Sequence, residues 1–158
     1  MKTLHFSTTI DAPVEVVSKT MLDDDTYREW AATFSPGSYF EGSWQPGSEI
    51  RFLGDGHEDE PLGGMVGVIA EHRPHEFVSI EYTGVILNGA FDTSSEYAQK
   101  LKGTHENYTF SESEGVTTLT VDLDVDEEEA DMFEEMWPRS LDKLKELAED
   151  QAAGRQPS

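Results

Sequence analysis

Two glutamates and two tyrosines lie in predicted strands, where the register decides whether their side chains face the interior or the solvent. Glu81 and Tyr82 are adjacent in one strand, and Glu106 and Tyr108 lie two apart in another. Residues two apart share a face of a strand, so a register that buries Tyr108 also buries Glu106, whose raised pKa would suit an acid or a base. A shift of one residue would place Glu106 in solvent. We expect the solvent-facing register and therefore no catalytic residue.

The aromatic and methionine residues suit the binding of an apolar molecule. Small-molecule sites are commonly apolar pockets with a few polar groups that orient the ligand. A packed core is the alternative, because aromatic side chains often only pack. Met136 and Trp137 suit a pocket best, since methionine adapts its shape and an indole needs a hydrogen-bond partner. Tyr39 and Met65 are further candidates for the lining. The candidate binding residues are Trp30, Phe34, Phe40, Trp44, Phe52, Tyr82, Glu106, Tyr108, Phe133, Met136 and Trp137.

Metal and cofactor motifs are not found in the sequence. The chain has no cysteine, which excludes disulfides and thiolate sites. His72 and His75 flank a proline turn with no third ligand nearby, and His57 lies in an acidic loop that lacks the spacing of a calcium loop. We therefore expect no metal centre and no cofactor.

The composition limits the partners. The 158 residues include 33 acids and 11 bases, a formal charge of −22. This field repels phosphate backbones and anionic lipids, so we expect neither nucleic acid nor a membrane surface as partner. The acidity fits either a strongly solvated surface or adaptation to high salt. Since no apolar leader or run of about 20 apolar residues is present, we expect a cytoplasmic protein.

A long amphipathic helix over residues 127–150 must position the aromatic residues. Its apolar residues recur at steps of three and four, and this stripe must be buried against another element. Pro138 lies inside the helix and costs about 3 kcal/mol there, so we expect a kink. Asp126 is the predicted N-cap.

The preceding sequence predicts the partner of this helix. Residues 2–10 alternate as a strand, and Asp11-Ala12-Pro13, with Asp11 as the capping acid, starts the first of two short helices. Six strands follow, including a hairpin over residues 38–53 and a pair over residues 104–125, with a short helix at residues 94–101. Residues 54–64 are predicted to form an exposed loop. The order predicts an α+β fold in which a curved antiparallel sheet of about seven strands grips the C-terminal helix, as one domain over residues 1–150 with a disordered tail over residues 151–158.

Several segments resemble the START-like, or SRPBCC, superfamily, which has the helix-grip fold of the birch pollen allergen. The nearest branch is that of the homologues of the heat shock protein 90 ATPase activator. The segments are residues 10–17 (IDAPVEVV), 27–30 (YREW), 47–52 (GSEIRF), 72–80 (HRPHEFVSI), 108–110 (YTF), 115–121 (GVTTLTV) and 137–144 (WPRSLDKL).

This resemblance implies a cavity between the sheet and the long helix, but it does not select one activity, because the superfamily includes carriers, cyclases and chaperone regulators. We expect binding of a small hydrophobic or amphipathic molecule rather than catalysis. The alternatives are a module that interacts with a chaperone or another protein, and an enzyme of the polyketide cyclase or dehydratase type. Exposed sheet edges leave both a monomer and a homodimer open.

Overall fold

The computed structural model describes residues 2–33, 37–54, 63–87 and 89–154. Strands and helices follow the alternating and amphipathic segments of the sequence. In chain order, the elements are β1 (Lys2–Ile10), α1 (Val14–Leu22), α2 (Asp24–Ala31), β2 (Tyr39–Gly42), β3 (Glu49–Leu53), β4 (Gly64–Arg73), β5 (Phe77–Leu87), β6 (Ala90–Asp92), α3 (Glu96–Leu101), β7 (His105–Ser113), β8 (Val116–Val125) and α4 (Glu127–Ala152).

The strands form one antiparallel sheet in the order β1-β8-β7-β5-β4-β3-β2, with β6 beside β5. Register shifts between Val66 and Gly67 and between Ile69 and Glu71 interrupt the β4–β5 ladder, as bulges that bend a sheet do. The predicted helix-grip architecture is confirmed. The eighth strand is β6, whose three residues are too few to show alternation.

Strand β8 sets the inner face of the sheet. Its alternate residues Leu119, Leu123 and Val125 are buried. The turn between β7 and β8 has Glu114 and Gly115 at φ 52° and 81°, as a tight two-residue hairpin requires. This turn places Leu123 directly opposite Glu106. Directly opposed residues share a face, so β7 turns Glu106 inward.

Helix α4 covers that face. Asp126 is its N-cap, as predicted, and its carboxylate accepts the N–H of Glu128 at 3.4 Å. Buried residues from Ala130 to Ala148 form the stripe, and the helix runs without interruption through Pro138. It continues to Ala152, two residues into the segment predicted as a tail, while residues 155–158 lie outside the described part.

Helices α1 and α2 close one end of the layer between sheet and helix. The prediction that Asp11 caps α1 is wrong: Pro13 is the N-cap, and the free N–H of Val14 donates to the carboxylate of Glu112 on β7 at 2.8 Å. A side chain distant in sequence therefore does what a local cap would do. In α2, Trp30 is buried and its indole N–H donates to the Met21 carbonyl at 3.2 Å.

Candidate functional site

A cavity of about 580 Å³ lies between the inner face of the sheet and helices α2 and α4. Strands β3, β4, β5 and β7 contribute one side, and α3 adds one residue. The volume falls within the range of small-molecule sites. The larger side chains of the lining include Tyr27, Trp30, Phe52, Met65, Tyr82, Tyr97, Glu106, Tyr108, Glu129, Met132, Phe133, Met136 and Trp137.

Eight of the eleven candidate binding residues line this cavity. They are Trp30, Phe52, Tyr82, Glu106, Tyr108, Phe133, Met136 and Trp137, and Met65 joins them. The other candidates are placed differently. Phe40 and Trp44 lie behind the wall, with ring centroids 5.0 Å from Tyr27 and 5.8 Å from Phe52, respectively. Phe34 lies outside the described residues, and Tyr39 packs instead against a separate small cluster around Leu53.

The aromatic wall is continuous from α2 to α4. Tyr27 and Trp30 meet edge to face at 4.9 Å, and Trp30 lies 6.0 Å from Trp137. Trp137 is in turn 6.3 Å from Tyr108. These spacings are typical of interacting aromatic rings, so each ring helps to hold its neighbour in place. The wall is therefore built from rings whose positions are fixed by packing.

Glu106 is the polar centre of the wall, and the prediction that it faces solvent is wrong. Its side chain is 7% exposed, between Ile80 on β5 and Leu123 on β8. The Tyr82 hydroxyl donates to one carboxylate oxygen at 3.2 Å, and the Tyr108 hydroxyl donates to the other. The register of β7 against β8 outweighs the preference of a carboxyl group for water. Two tyrosine donors offset part of that burial.

Burial sets the ionisation of this group. Desolvation raises the pKa of Glu106 and outweighs the hydrogen bonds from Tyr108 and Tyr82, which lower it. Desolvation also raises the pKa of both tyrosines well above the ordinary value, and the nearby Glu106 charge adds to the rise. The pKa of Tyr27 is raised for the same two reasons. The tyrosines therefore remain hydrogen-bond donors, while Glu106 keeps its proton to a higher pH than an exposed glutamate.

A second polar pair lies at the cavity wall between α3 and α4. The Tyr97 hydroxyl donates to the Glu129 carboxylate at 3.5 Å. Desolvation, with a contribution from Glu129, raises the pKa of Tyr97 to about 12, and desolvation also raises that of Glu129. Tyr97 and Met132 are 38% and 46% exposed, so apolar side chains reach solvent here.

Sequence reasoning missed Tyr27, Tyr97, Glu129 and Met132 as lining residues. Tyr27 had a local signal, because it stands three residues before Trp30 and so shares its helix face. Tyr97 and Glu129 are brought together only by the packing of α3 beside the start of α4, which no local pattern encodes.

Within the described ranges, no three His, Asp or Glu side chains are grouped as metal ligands would be, and the Nδ1 atom of His72 lies 2.8 Å from the Trp44 carbonyl. The acidic loop with His57 lies outside the described residues. No helix in the described part of the chain has the length and apolarity needed to cross a membrane.

A sheet that grips a C-terminal helix around an aromatic cavity defines a helix-grip protein of the START-like class. The family model for Activator of Hsp90 ATPase homolog 1-like protein matches residues 11–149. The chain therefore belongs to this family, in agreement with the resemblance found in the sequence. No curated protein matches the chain.

Solved structures with this fold share little sequence with the chain. The crystal structure of protein NE0264 from Nitrosomonas europaea superposes with a TM-score of 0.72 at 16% identity, covering 96% of each chain. The solution structure of ChR145 from Cytophaga hutchinsonii gives 0.69 at 18% identity and covers 97% of each chain. The solution structure of the Aha1 dimer from Colwellia psychrerythraea gives 0.67 at 17% identity, covering 94% of this chain and 97% of that one. At these identities the likeness shows the fold alone.

Proposed function

We propose that this protein binds a small hydrophobic or amphipathic molecule in the cavity between the sheet and α4. The observation that carries the proposal is the cavity of about 580 Å³ whose aromatic wall surrounds one buried carboxyl group. Such a site combines the two usual parts of a ligand pocket, an apolar body and a few polar groups that orient the ligand.

The size of the cavity supports binding over simple core packing. Protein interiors pack as densely as organic crystals, and voids larger than a water molecule are few. Large side chains such as Trp137 and Phe133 surround this space without filling it. An apolar ligand would cover their surface and remove it from water.

Uptake of the neutral fluorescent probe N-phenylnaphthylamine tests the proposal. Met136→Trp places an indole in the cavity, whereas Glu135→Trp places the same ring at an exposed neighbouring position that does not line it. We expect saturable uptake by the wild type, an affinity about tenfold lower for Met136→Trp, and little change for Glu135→Trp. Absence of saturable uptake, or equal loss in both variants, would contradict the proposal.

An enzyme of the cyclase or dehydratase type is a second candidate, favoured by the burial of Glu106 with two tyrosine donors. A carboxyl group with a raised pKa can act as a general acid or base, and tyrosine hydroxyls can polarise a carbonyl oxygen. If a substrate is turned over, Glu106→Gln and Tyr108→Phe should each lower kcat. Unchanged turnover in both variants would remove this candidate.

The family description favours a third candidate, a protein that acts on a chaperone. The acidic surface could dock on a basic face in a salt-dependent way. Adding the protein to purified Hsp90 and measuring ATP hydrolysis at low and high salt tests this, and an unchanged rate at both would remove it. The cytoplasmic location and the choice between monomer and homodimer stay predictions.

A further inference from the structure

The ionisable groups of the cavity wall have one sign. Glu106 and Glu129 are the charged residues among the described side chains that line it, and lysine, arginine and histidine are not represented there. Lys100 borders a small adjoining space, but its Nζ atom lies 3.1 Å from Asp126 and 3.7 Å from Glu96. That cation is already neutralised by two carboxylates. The chain therefore offers Glu106 no basic partner from the described wall.

Among the residues that the structure describes, a carboxylate in this position has no counter-ion. Ionised carboxyl groups are costly to bury unless they are paired. Tyr82 and Tyr108 each donate one hydrogen bond, one to each oxygen of Glu106. A carboxylate has about four lone-pair sites, so each oxygen can accept a further donor from the cavity side. A cationic group that carries N–H donors would supply both the opposite charge and these further hydrogen bonds to Glu106.

The rings around Glu106 suit the same kind of group. Aromatic faces attract cations, most strongly when the contact is desolvated. Tyr27, Trp30 and Trp137 form a connected set of rings, and Tyr108 joins this set to Glu106. An anionic ligand such as a fatty acid would instead meet two carboxyl groups.

We propose that the ligand of this cavity is an amine, an ammonium group carried on an apolar body, and that Glu106 is its counter-ion. This inference rests on the proposed binding function and narrows it to a ligand class. The apolar body packs against the aromatic wall, and the ammonium group donates to Glu106. Tyr82 and Tyr108 hold the carboxylate in the orientation that receives it.

The pairing predicts a pH dependence with a definite sign. The titratable groups that line the cavity with Glu106 are Tyr82 on β5, Tyr108 on β7 and Tyr27 on α2, with Tyr97 on α3 and Glu129 on α4. Glu106 also borders the small adjoining space, whose further charged residues are Lys100, Asp124 and Asp126. The tyrosines stay protonated, whereas the pKa of Glu129 is raised as well, so both carboxyl groups titrate. Glu106 is the proposed counter-ion, and Glu106→Gln isolates its share. A cationic ligand favours its ionised form, and therefore binding releases a proton wherever the free protein still holds one. Amine affinity should rise as the pH rises through the raised pKa of Glu106.

Three naphthalene probes of the same ring body test the proposal: naphthylmethylamine, naphthalenemethanol and naphthoate, which are cationic, neutral and anionic at pH 7. Calorimetry with the wild type should show the amine binding about tenfold or more tightly than the alcohol, and the acid weakest. Glu106→Gln should lower amine affinity about tenfold and leave the alcohol within about threefold. Glu114→Gln removes the same charge from an exposed turn outside the cavity and controls for attraction to the net charge of −22.

Each other outcome overturns the amine assignment. Equal affinity for amine and alcohol would show that charge is not recognised. Tight binding of naphthoate would show that the cavity accepts anions. Equal loss in the Glu106 and Glu114 variants would assign the preference to the surface field. In all three cases ligand binding itself survives, whereas failure of all three probes together with N-phenylnaphthylamine would remove the proposed function as well.

Discussion

At the scale of single residues, Glu106 couples the stability of the protein to the chemistry of its cavity. Its carboxyl group is buried against two tyrosine hydroxyls in an apolar wall. Its position follows from the neighbouring strand, because Leu123 is opposite Glu106 and both point to the same face. The alternation of β8 was readable in the sequence and is the signal that could have placed Glu106 inside. The preference of a charged side chain for water pointed the other way.

The burial of Glu106 predicts how stability changes with pH. Between the ordinary glutamate pKa of 4.5 and the raised folded value, the folded protein holds a proton that the unfolded chain has released. Because the folded state then binds more protons, this residue's contribution to the free energy of unfolding is greatest below pH 4.5 and falls as the pH rises through the folded pKa. The free energy of unfolding can be measured in urea for the wild type and for Glu106→Gln across this range. We expect the wild-type value minus the variant value to decrease as the pH rises. A flat or rising difference would contradict the assignment.

At the scale of elements, the helix α4 is predictable from the sequence, but the cavity lining to which it contributes is not. Its stripe, its N-cap and its burial against the sheet follow from a spacing of three and four residues and from Asp126. The lining of the cavity does not follow, since Tyr97 reaches Glu129 only after α3 packs beside α4. The start of α1 shows the same limit, because its first N–H is satisfied by Glu112 from β7. Local patterns predict elements, whereas contacts between distant elements complete the site.

Pro138 provides a test of what α4 contributes to the cavity. It is exposed and directly follows Trp137, which lines the cavity. Proline lacks the N–H that would donate to the Glu134 carbonyl, so Pro138→Ala should raise the free energy of unfolding by about 1–3 kcal/mol. If the proline shapes the pocket, uptake of N-phenylnaphthylamine should fall in the same variant. Glu135→Ala, at the exposed Glu135, is the matched control and should leave uptake unchanged. A loss of stability in Pro138→Ala would contradict this explanation.

At the scale of the whole molecule, the excess of 33 acidic over 11 basic residues governs behaviour in salt. Ion pairs such as Lys2–Glu134, Arg28–Asp24 and Arg139–Glu135 are largely exposed, and such pairs contribute little to stability. Self-repulsion of the folded state should therefore dominate the electrostatic response.

Raising NaCl should stabilise the protein. The Debye length falls from about 10 Å at 0.1 M to about 3 Å at 1 M salt, which screens the repulsion. We expect Tm to rise by about 3 °C or more over this range, which corresponds to about 1 kcal/mol for a chain of this size. Scanning calorimetry in NaCl and in KCl should give the same gain, since screening depends on ionic strength. A lower Tm, or a gain that depends on the cation, would contradict this explanation.

The central claim, that a ligand occupies the cavity beside Glu106, is tested most directly by the indole N–H signals of the three tryptophans in a proton–nitrogen correlation spectrum. Trp30 and Trp137 line the cavity, whereas Trp44 lies behind its wall and donates to the Leu22 carbonyl at 3.0 Å. On titration with naphthylmethylamine, the signals of Trp30 and Trp137 should shift in a saturable way, with a much smaller shift for Trp44. Unchanged signals from Trp30 and Trp137, or a shift confined to Trp44, would contradict the account.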